Sequence, residues 1–344
     1  MATTTLRTPV PRATRPTFAG RLGPNWYAAV MGTAIVGNAA AGLPWLGRAL
    51  TVPAAVFWIL AVLLLAALGV LRLLARRDPG RVRHLRDHHT AVFYGCPPMA
   101  LTAVGYGALT AARPVLGERA GVALDAVLWS AGTLYGLAVA GRLGHRLLAA
   151  DRARVTPTWL LPFVAPMVSA ALGPALLPYL PAAGQWRETL LVLCAGMFGM
   201  SLLTVLLLLP ALWGRQLEPA LVPTLFLVLG PLGQSVTAVG QFARADRALE
   251  GIALVYGVPV FGFALLWLGL ALAAALSRPV PFAMTWWAFT FPVGTCVTGA
   301  TALFRLTGLA VLGASAVGLF ALLVTAWTLV TARTLAGLSA RALP

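Results

Sequence analysis

Val52–Leu74 reads VPAAVFWILAVLLLAALGVLRLL, twenty-three residues with one charge, Arg72, close to the end. At about 1.5 Å of rise per residue such a helix extends about 34 Å, enough to cross a hydrocarbon layer of about 30 Å. Apolar side chains run around its whole circumference, so no face is left for water. The stretch reads as a membrane-spanning helix, and the rest of the chain repeats its character. Nine further apolar runs follow the same pattern: Asn25–Pro44, Ala91–Ala112, Gly121–Ala140, Thr158–Leu180, Thr189–Trp213, Leu221–Phe242, Ile252–Leu276, Ala283–Phe304 and Gly308–Leu329. No connection exceeds twenty residues, so the function is expected within the membrane bundle. The expected organisation is a disordered tail over 1–23, an all-α integral membrane domain of ten transmembrane helices over 24–336, and a short tail over 337–344.

Composition agrees with this reading. Of 344 residues, 60% are hydrophobic and 10% charged, where a soluble globular chain carries about a quarter charged residues; mean hydropathy is +0.87. A cytosolic enzyme, a secreted scaffold and a disordered regulator are all excluded. The net charge of +16 would suggest a nucleic-acid partner in a soluble protein. Here all 25 basic residues are arginines, clustered in the short segments between apolar runs, where they orient helices, and no nucleic-acid partner is expected. Counted on alternating sides they divide eighteen to seven, which predicts both termini in the cytoplasm and a multi-pass protein of the plasma membrane. Cys96, Cys194 and Cys296 all lie in apolar runs and form no C-x-x-C pair.

Helix-breaking residues recur in the odd-numbered runs: Gly32, Pro97 with Pro98, Pro166, Pro231 and Pro292, separated by 66, 68, 65 and 61 residues. This period indicates a two-helix unit repeated five times in one orientation. Proline removes a backbone donor, a defect tolerated in lipid only where protein or a water-filled cavity satisfies the exposed groups. The odd helices are therefore expected to be kinked and to face inward, as a ring around a central pathway. The even helices are expected outside, with Pro259 their one interior proline.

Catalytic or metal chemistry finds little support. Of the nine carboxylates only Asp125 falls inside a run, about one turn from its end, where it reads as an interfacial residue rather than a proton relay. The string from His84 to His89 has the H-x-x-x-H-H spacing of membrane di-iron enzymes, but such a site needs about eight histidines and the chain has four. It reads as a solvated loop, and neither a metal nor a cofactor is expected. The odd runs offer neutral hydrogen-bonding groups instead: Thr33, Ser169, Gln234, Ser235, Thr290 and Thr295. Such groups suit an anion that must be held loosely enough to leave.

Five strings carry a family resemblance: PNWYAAVMGTAIV (Pro24 to Val36), YGCPPMAL (Tyr94 to Leu101), TWLLPFVAPMVSAALG (Thr158 to Gly173), VPTLFLVLGPLGQS (Val222 to Ser235) and WWAFTFPVGT (Trp286 to Thr295). Together they resemble the tellurite-resistance/dicarboxylate transporter family of bacterial tellurite-resistance channels, fungal malate and sulfite transporters and plant slow-type anion channels. The resemblance implies five helical hairpins in quasi-fivefold arrangement around a central pore, a homotrimer with one conduit per protomer, and Phe291 as the plug of that pore. The pore-lining set expected on this basis is Gly32, Thr33, Pro97, Pro98, Pro166, Ser169, Pro231, Gln234, Ser235, Thr290, Pro292 and Thr295. The implied partners are small inorganic or dicarboxylate anions and the bilayer. A passive anion conduit is the first expectation; a proton-coupled dicarboxylate carrier or sulfite exporter is the second.

Overall fold

The computed structural model describes residues 22–75, 87–148, 155–214 and 217–340. Residues 1–21 of the expected N-terminal tail, His84 of the histidine string and residues 341–344 lie outside this set. Ten longer α-helices carry the fold: α1 (Tyr27–Gly42), α2 (Thr51–Leu74), α3 (Cys96–Leu109), α4 (Glu118–Leu148), α5 (Leu161–Leu172), α6 (Trp186–Leu212), α7 (Leu229–Ala245), α8 (Glu250–Leu276), α9 (Phe291–Thr307) and α10 (Ala310–Ser339). The described residues contain no strand. α10 continues to Ser339, three residues into the stretch expected as a tail.

Each odd helix is preceded by a 3₁₀ stretch: Pro24–Trp26, Val92–Gly95, Pro157–Leu160, Pro219–Val228 and Met284–Phe289. This corrects the expectation of kinks in the middle of the odd helices. Pro97 and Pro98 occupy the first turn of α3, Pro231 the first turn of α7 and Pro292 the second position of α9, so an α-helix starts at each of them. The first turn suits proline because its missing N–H would have no intrahelical partner there. Only Pro166 stands inside its α-helix, and Gly32 lies in the uninterrupted α1. Among the even helices, Pro210 of α6 joins Pro259 of α8 as an interior proline.

Among the described residues, eight segments are long and apolar enough to cross a membrane: α2, α4, α6, α8, α10 and the composite segments Pro157–Tyr179, Pro219–Ala245 and Met284–Thr307. α1 and α3, at 16 and 14 residues, are shorter. Burial divides the odd from the even. In the three composite segments 94, 94 and 78% of the most apolar stretch is buried, against 17 to 28% in the even helices. α1 and α3 are likewise buried over nearly their whole length. The even helices expose Leu63, Leu207, Val255 and Leu266, side chains that water would penalise and hydrocarbon accepts.

Each odd helix packs on the even helix that follows it, and the odd helices also pack on one another in the order α1, α3, α5, α7, α9, with α9 returning to α1. Small residues permit the approach. A Cβ on Gly233 of α7 would run into the backbone and hydroxyl of Thr295 on α9, so these two helices meet almost backbone to backbone. Indole N–H groups tie the outer helices to the inner ones. Trp58 of α2 donates to the Val104 carbonyl of α3, Trp129 of α4 to that of Ser169 in α5, and Trp267 of α8 to that of Leu225 ahead of α7, each at 2.9 Å. Trp327 of α10 donates to Thr33 Oγ1 of α1 at 3.0 Å, joining the last helix to the first. A carbonyl oxygen has two lone pairs, so it can accept the indole proton without giving up its helical bond.

Gly233→Ala is expected to lower stability by about 1–3 kcal/mol, the usual cost of overpacking a filled contact. Gly262 on the outer face of α8 has nothing within 4 Å of its virtual Cβ, so Gly262→Ala should be neutral or raise stability by about 0.5–1 kcal/mol. Thermal unfolding of the two variants in detergent checks the difference in sign.

Candidate functional site

The break between the 3₁₀ stretch Met284–Phe289 and α9 falls at Thr290, whose φ and ψ are −97° and −77°. Its hydroxyl donates to the Trp287 carbonyl at 2.7 Å, and its own carbonyl accepts from Gly294 N at 3.0 Å. Phe291 follows as the first residue of α9 and is 2% exposed. Two neighbours hold this step. Gly32 of α1 leaves its side-chain space to the Thr290 hydroxyl and the Trp287 ring, so the missing Cβ admits a neighbouring helix. On the other side Thr295 Oγ1 donates to the Leu229 carbonyl of α7 at 3.1 Å and to that of Pro292 at 2.6 Å.

The structure therefore brings Gly32, Thr290, Phe291, Pro292 and Thr295 together beside the start of α7, which carries Pro231. Gln234 is buried there with its Oε1 lacking a hydrogen-bond partner, and Ser235 bonds back to the Leu232 carbonyl at 2.8 Å. The remaining residues of the expected set lie elsewhere. Thr33 is engaged by Trp327 of α10. Pro98 abuts Gly132 and Gly136 of α4. Ser169 bonds to the Ala165 carbonyl within α5, three residues after Pro166. Pro97 is buried in the first turn of α3.

A feature that no sequence motif singled out lies at the opposite end of the inner helices. There a cavity of about 340 Å³ is walled by the C-terminal ends of all five: Asn38 and Gly42 of α1, Tyr106 and Leu109 of α3, Pro174 and Tyr179 of the 3₁₀ turn after α5, Gln241 and Arg244 of α7, and Arg305 of α9, with Thr110 and Arg113 beside them. A smaller cavity of about 40 Å³ shares Asn38, Tyr106, Arg244 and Arg305 and leads inward to Thr237, Thr298 and Thr301. Thr237 and Thr298 are hydrogen-bonded to each other at 2.8 Å, and Thr298 donates to the Thr295 carbonyl at 3.0 Å. A line of hydroxyls thus descends α9 from Arg305 through Thr301 and Thr298 to Thr295. Its spacing of three and four residues is the period of one helix face and was present in the string TCVTGATALFR.

No carboxylate lines either cavity among the described residues. Arg113 pairs with Glu118 at 2.6 Å, whereas Arg244 bonds Gln241 Oε1 at 3.2 Å and Arg305 bonds the Gly42 carbonyl at 3.1 Å. Two guanidinium groups therefore keep their charge uncompensated by any acid among the described residues. Without them the vestibule would repel anions, because the C-terminal ends of helices present partial negative charge.

Asp125, read from the sequence as an interfacial residue, is 1% exposed and packs against Gly105 of α3, with neither carboxylate oxygen hydrogen-bonded. α4 begins seven residues earlier, at Glu118, so Asp125 lies two turns inside the helix on the face that α3 covers. The neighbouring Tyr106 lines the vestibule.

Comparison with other proteins agrees with this geometry. Residues 21–335 match the family described as voltage-dependent anion channel, of the SLAC1 type. The sulfite efflux pump SSU1 of Trichophyton rubrum is 29% identical over 304 residues, covering 81% of this chain and 80% of that one. The SSU1 sulfite efflux pump of Arthroderma otae is 27% identical over the same length and coverage. The uncharacterized transporter MJ0762 of Methanocaldococcus jannaschii is 25% identical over 192 residues, 53% of this chain and 56% of its own. The chain belongs to the SLAC1-type voltage-dependent anion channel family, the same tellurite-resistance/dicarboxylate transporter family that its motifs resemble.

Proposed function

We propose that the protein conducts small anions across the plasma membrane along the axis of its five inner helices, with Phe291 as the gate. In this reading all ten segments cross the bilayer as five hairpins in quasi-fivefold arrangement, both termini are cytoplasmic, and three copies assemble with one conduit each. The observation that carries it is the vestibule, to which all five inner helices contribute and in which Arg244 and Arg305 pair with no acid among the described residues. Basic walls of low dielectric raise the local anion concentration. The hydroxyls of Thr301, Thr298 and Thr295 then offer neutral donors that bind without trapping. Phe291 lies seven residues beyond Thr298, about 10 Å deeper along α9, and its ring gives an anion nothing to replace its hydration shell. The permeating class is small anions such as sulfite, nitrate, chloride, tellurite or a C4-dicarboxylate, and the names of the SSU1 relatives make sulfite the first to assay.

Phe291→Ala is expected to raise anion flux several-fold in proteoliposomes while the protein stays folded; flux that is unchanged, or lost together with thermal stability, means that the ring only packs. Arg244→Gln and Arg305→Gln should each reduce flux up to about tenfold at low ionic strength, by weakening the attraction into the vestibule, and the deficit should shrink at high salt. Tracer uptake at the two salt concentrations checks both.

A proton-coupled carrier is the second reading, supported by Asp125, since an ionisable residue buried within a bundle is a candidate relay. The channel reading expects Asp125→Asn to leave anion movement under a pH gradient unaltered. Gradient-driven uptake that this substitution abolishes would establish the carrier instead.

A further inference from the structure

At the end of the bundle opposite the vestibule, α4 and the single-turn helix His88–Ala91 with the 3₁₀ stretch after it enclose a lateral groove of about 560 Å³. One face of α4 forms its long wall, and the chemistry of that face changes along the axis. Tyr135, Ala138, Val139 and Leu143 are apolar or aromatic, whereas Arg142 and, in the last turn, His145 and Arg146 make the C-terminal end basic. Ala91 and Tyr94 close the other side, and Ala91, Val139 and Leu143 belong to one buried apolar cluster flanked by both tyrosines. No carboxylate lines the groove among the described residues.

From Tyr135 to Arg146 the wall is eleven residues long, about 16 Å at helical rise. Half the hydrocarbon thickness of a bilayer is about 15 Å. The groove therefore matches one leaflet in length, with an apolar run at membrane depth and cations where headgroups begin. A soluble anion would use the arginines and leave the apolar wall bare. A second copy of the chain would need acidic residues to meet the basic turn, and carboxylates are scarce in this sequence, nine against twenty-five arginines.

We propose that this groove is a binding site for an anionic phospholipid, whose phosphate is held by Arg142 and Arg146 with His145 beside them and whose acyl chain lies along Val139 and Ala138. The two halves of the site reinforce each other. Basic groups near a membrane surface attract anionic headgroups by about 1 kcal/mol each, and chain burial adds the orientation that a bare charge cannot supply.

The test is thermal unfolding of the detergent-solubilised protein titrated with phosphatidylglycerol, phosphatidylcholine or inorganic phosphate. Phosphatidylglycerol should raise the melting temperature by several degrees, and neither of the others should. The double variant Arg142→Gln/Arg146→Gln should require about thirtyfold more phosphatidylglycerol for the same shift, the loss expected for two basic groups. Val139→Trp, which fills the apolar wall and keeps the charges, should lose the shift as well, whereas Arg119→Gln/Arg187→Gln at the other end should keep it. Equal responses to the two phospholipids in the unsubstituted protein overturn the proposal. So does a full shift in the double variant, and stabilisation by phosphate alone would assign the arginines to a free anion.

Discussion

Hydrocarbon offers no partner to a backbone N–H or carbonyl, and the architecture follows from that constraint. Every inner segment contains a change from 3₁₀ to α-helix, a place where the regular ladder of backbone bonds is interrupted. Such a place is stable only where other protein groups surround it. The even helices expose apolar side chains and lack the lead-in stretch that precedes every odd helix, apart from the three residues Arg247–Leu249 ahead of α8. Inner and outer positions are thus assigned by backbone satisfaction as much as by side-chain hydrophobicity, because both sets are strongly apolar. The indole bonds from Trp58, Trp129, Trp267 and Trp327 obey the same rule, since a tryptophan in an outer helix must place its N–H on the protein side.

The interruption in the ninth segment is also where the chemistry concentrates. Thr290 turns the chain, Phe291 opens α9, and α1 and α7 press on the step from either side through Gly32 and Gly233. Because the α-helices of the inner ring all begin near one level and run in one direction, their C-terminal ends converge at the other. That convergence produces the vestibule and its difficulty together: five helix ends contribute partial negative charge, and arginines at the ends of α7 and α9 offset it.

Much of this was legible in the sequence. The second expected helix, Val52–Leu74, is found at Thr51–Leu74, and the sixth, Thr189–Trp213, at Trp186–Leu212. Hydropathy is a local property, so the runs could be read one at a time. The recurrence of Pro97, Pro98, Pro166, Pro231 and Pro292 separated inner from outer helices, although it did not reveal that most of these prolines begin a helix. Position within the first turn decides that, and the start of the turn depends on the 3₁₀ stretch before it. The Thr295, Thr298, Thr301, Arg305 face was also available at helical spacing, but only Thr295 stands beside the proline that drew attention.

By itself the sequence determined that the chain is a bundle of membrane helices with two classes of span, because apolar run length and the placement of proline are properties of consecutive residues. Only the tertiary structure decided what the spans enclose. Arg113, Arg244 and Arg305 are separated by 131 and 61 residues and meet because five helix ends converge. Gly32 could have opened onto a conduit or admitted a neighbour, and the position of Thr290 decided for the neighbour. Asp125 stood near the end of an apolar run, yet α4 starts early and α3 covers it. In each case the deciding quantity is the distance between groups far apart in the chain, which packing sets and local composition does not encode.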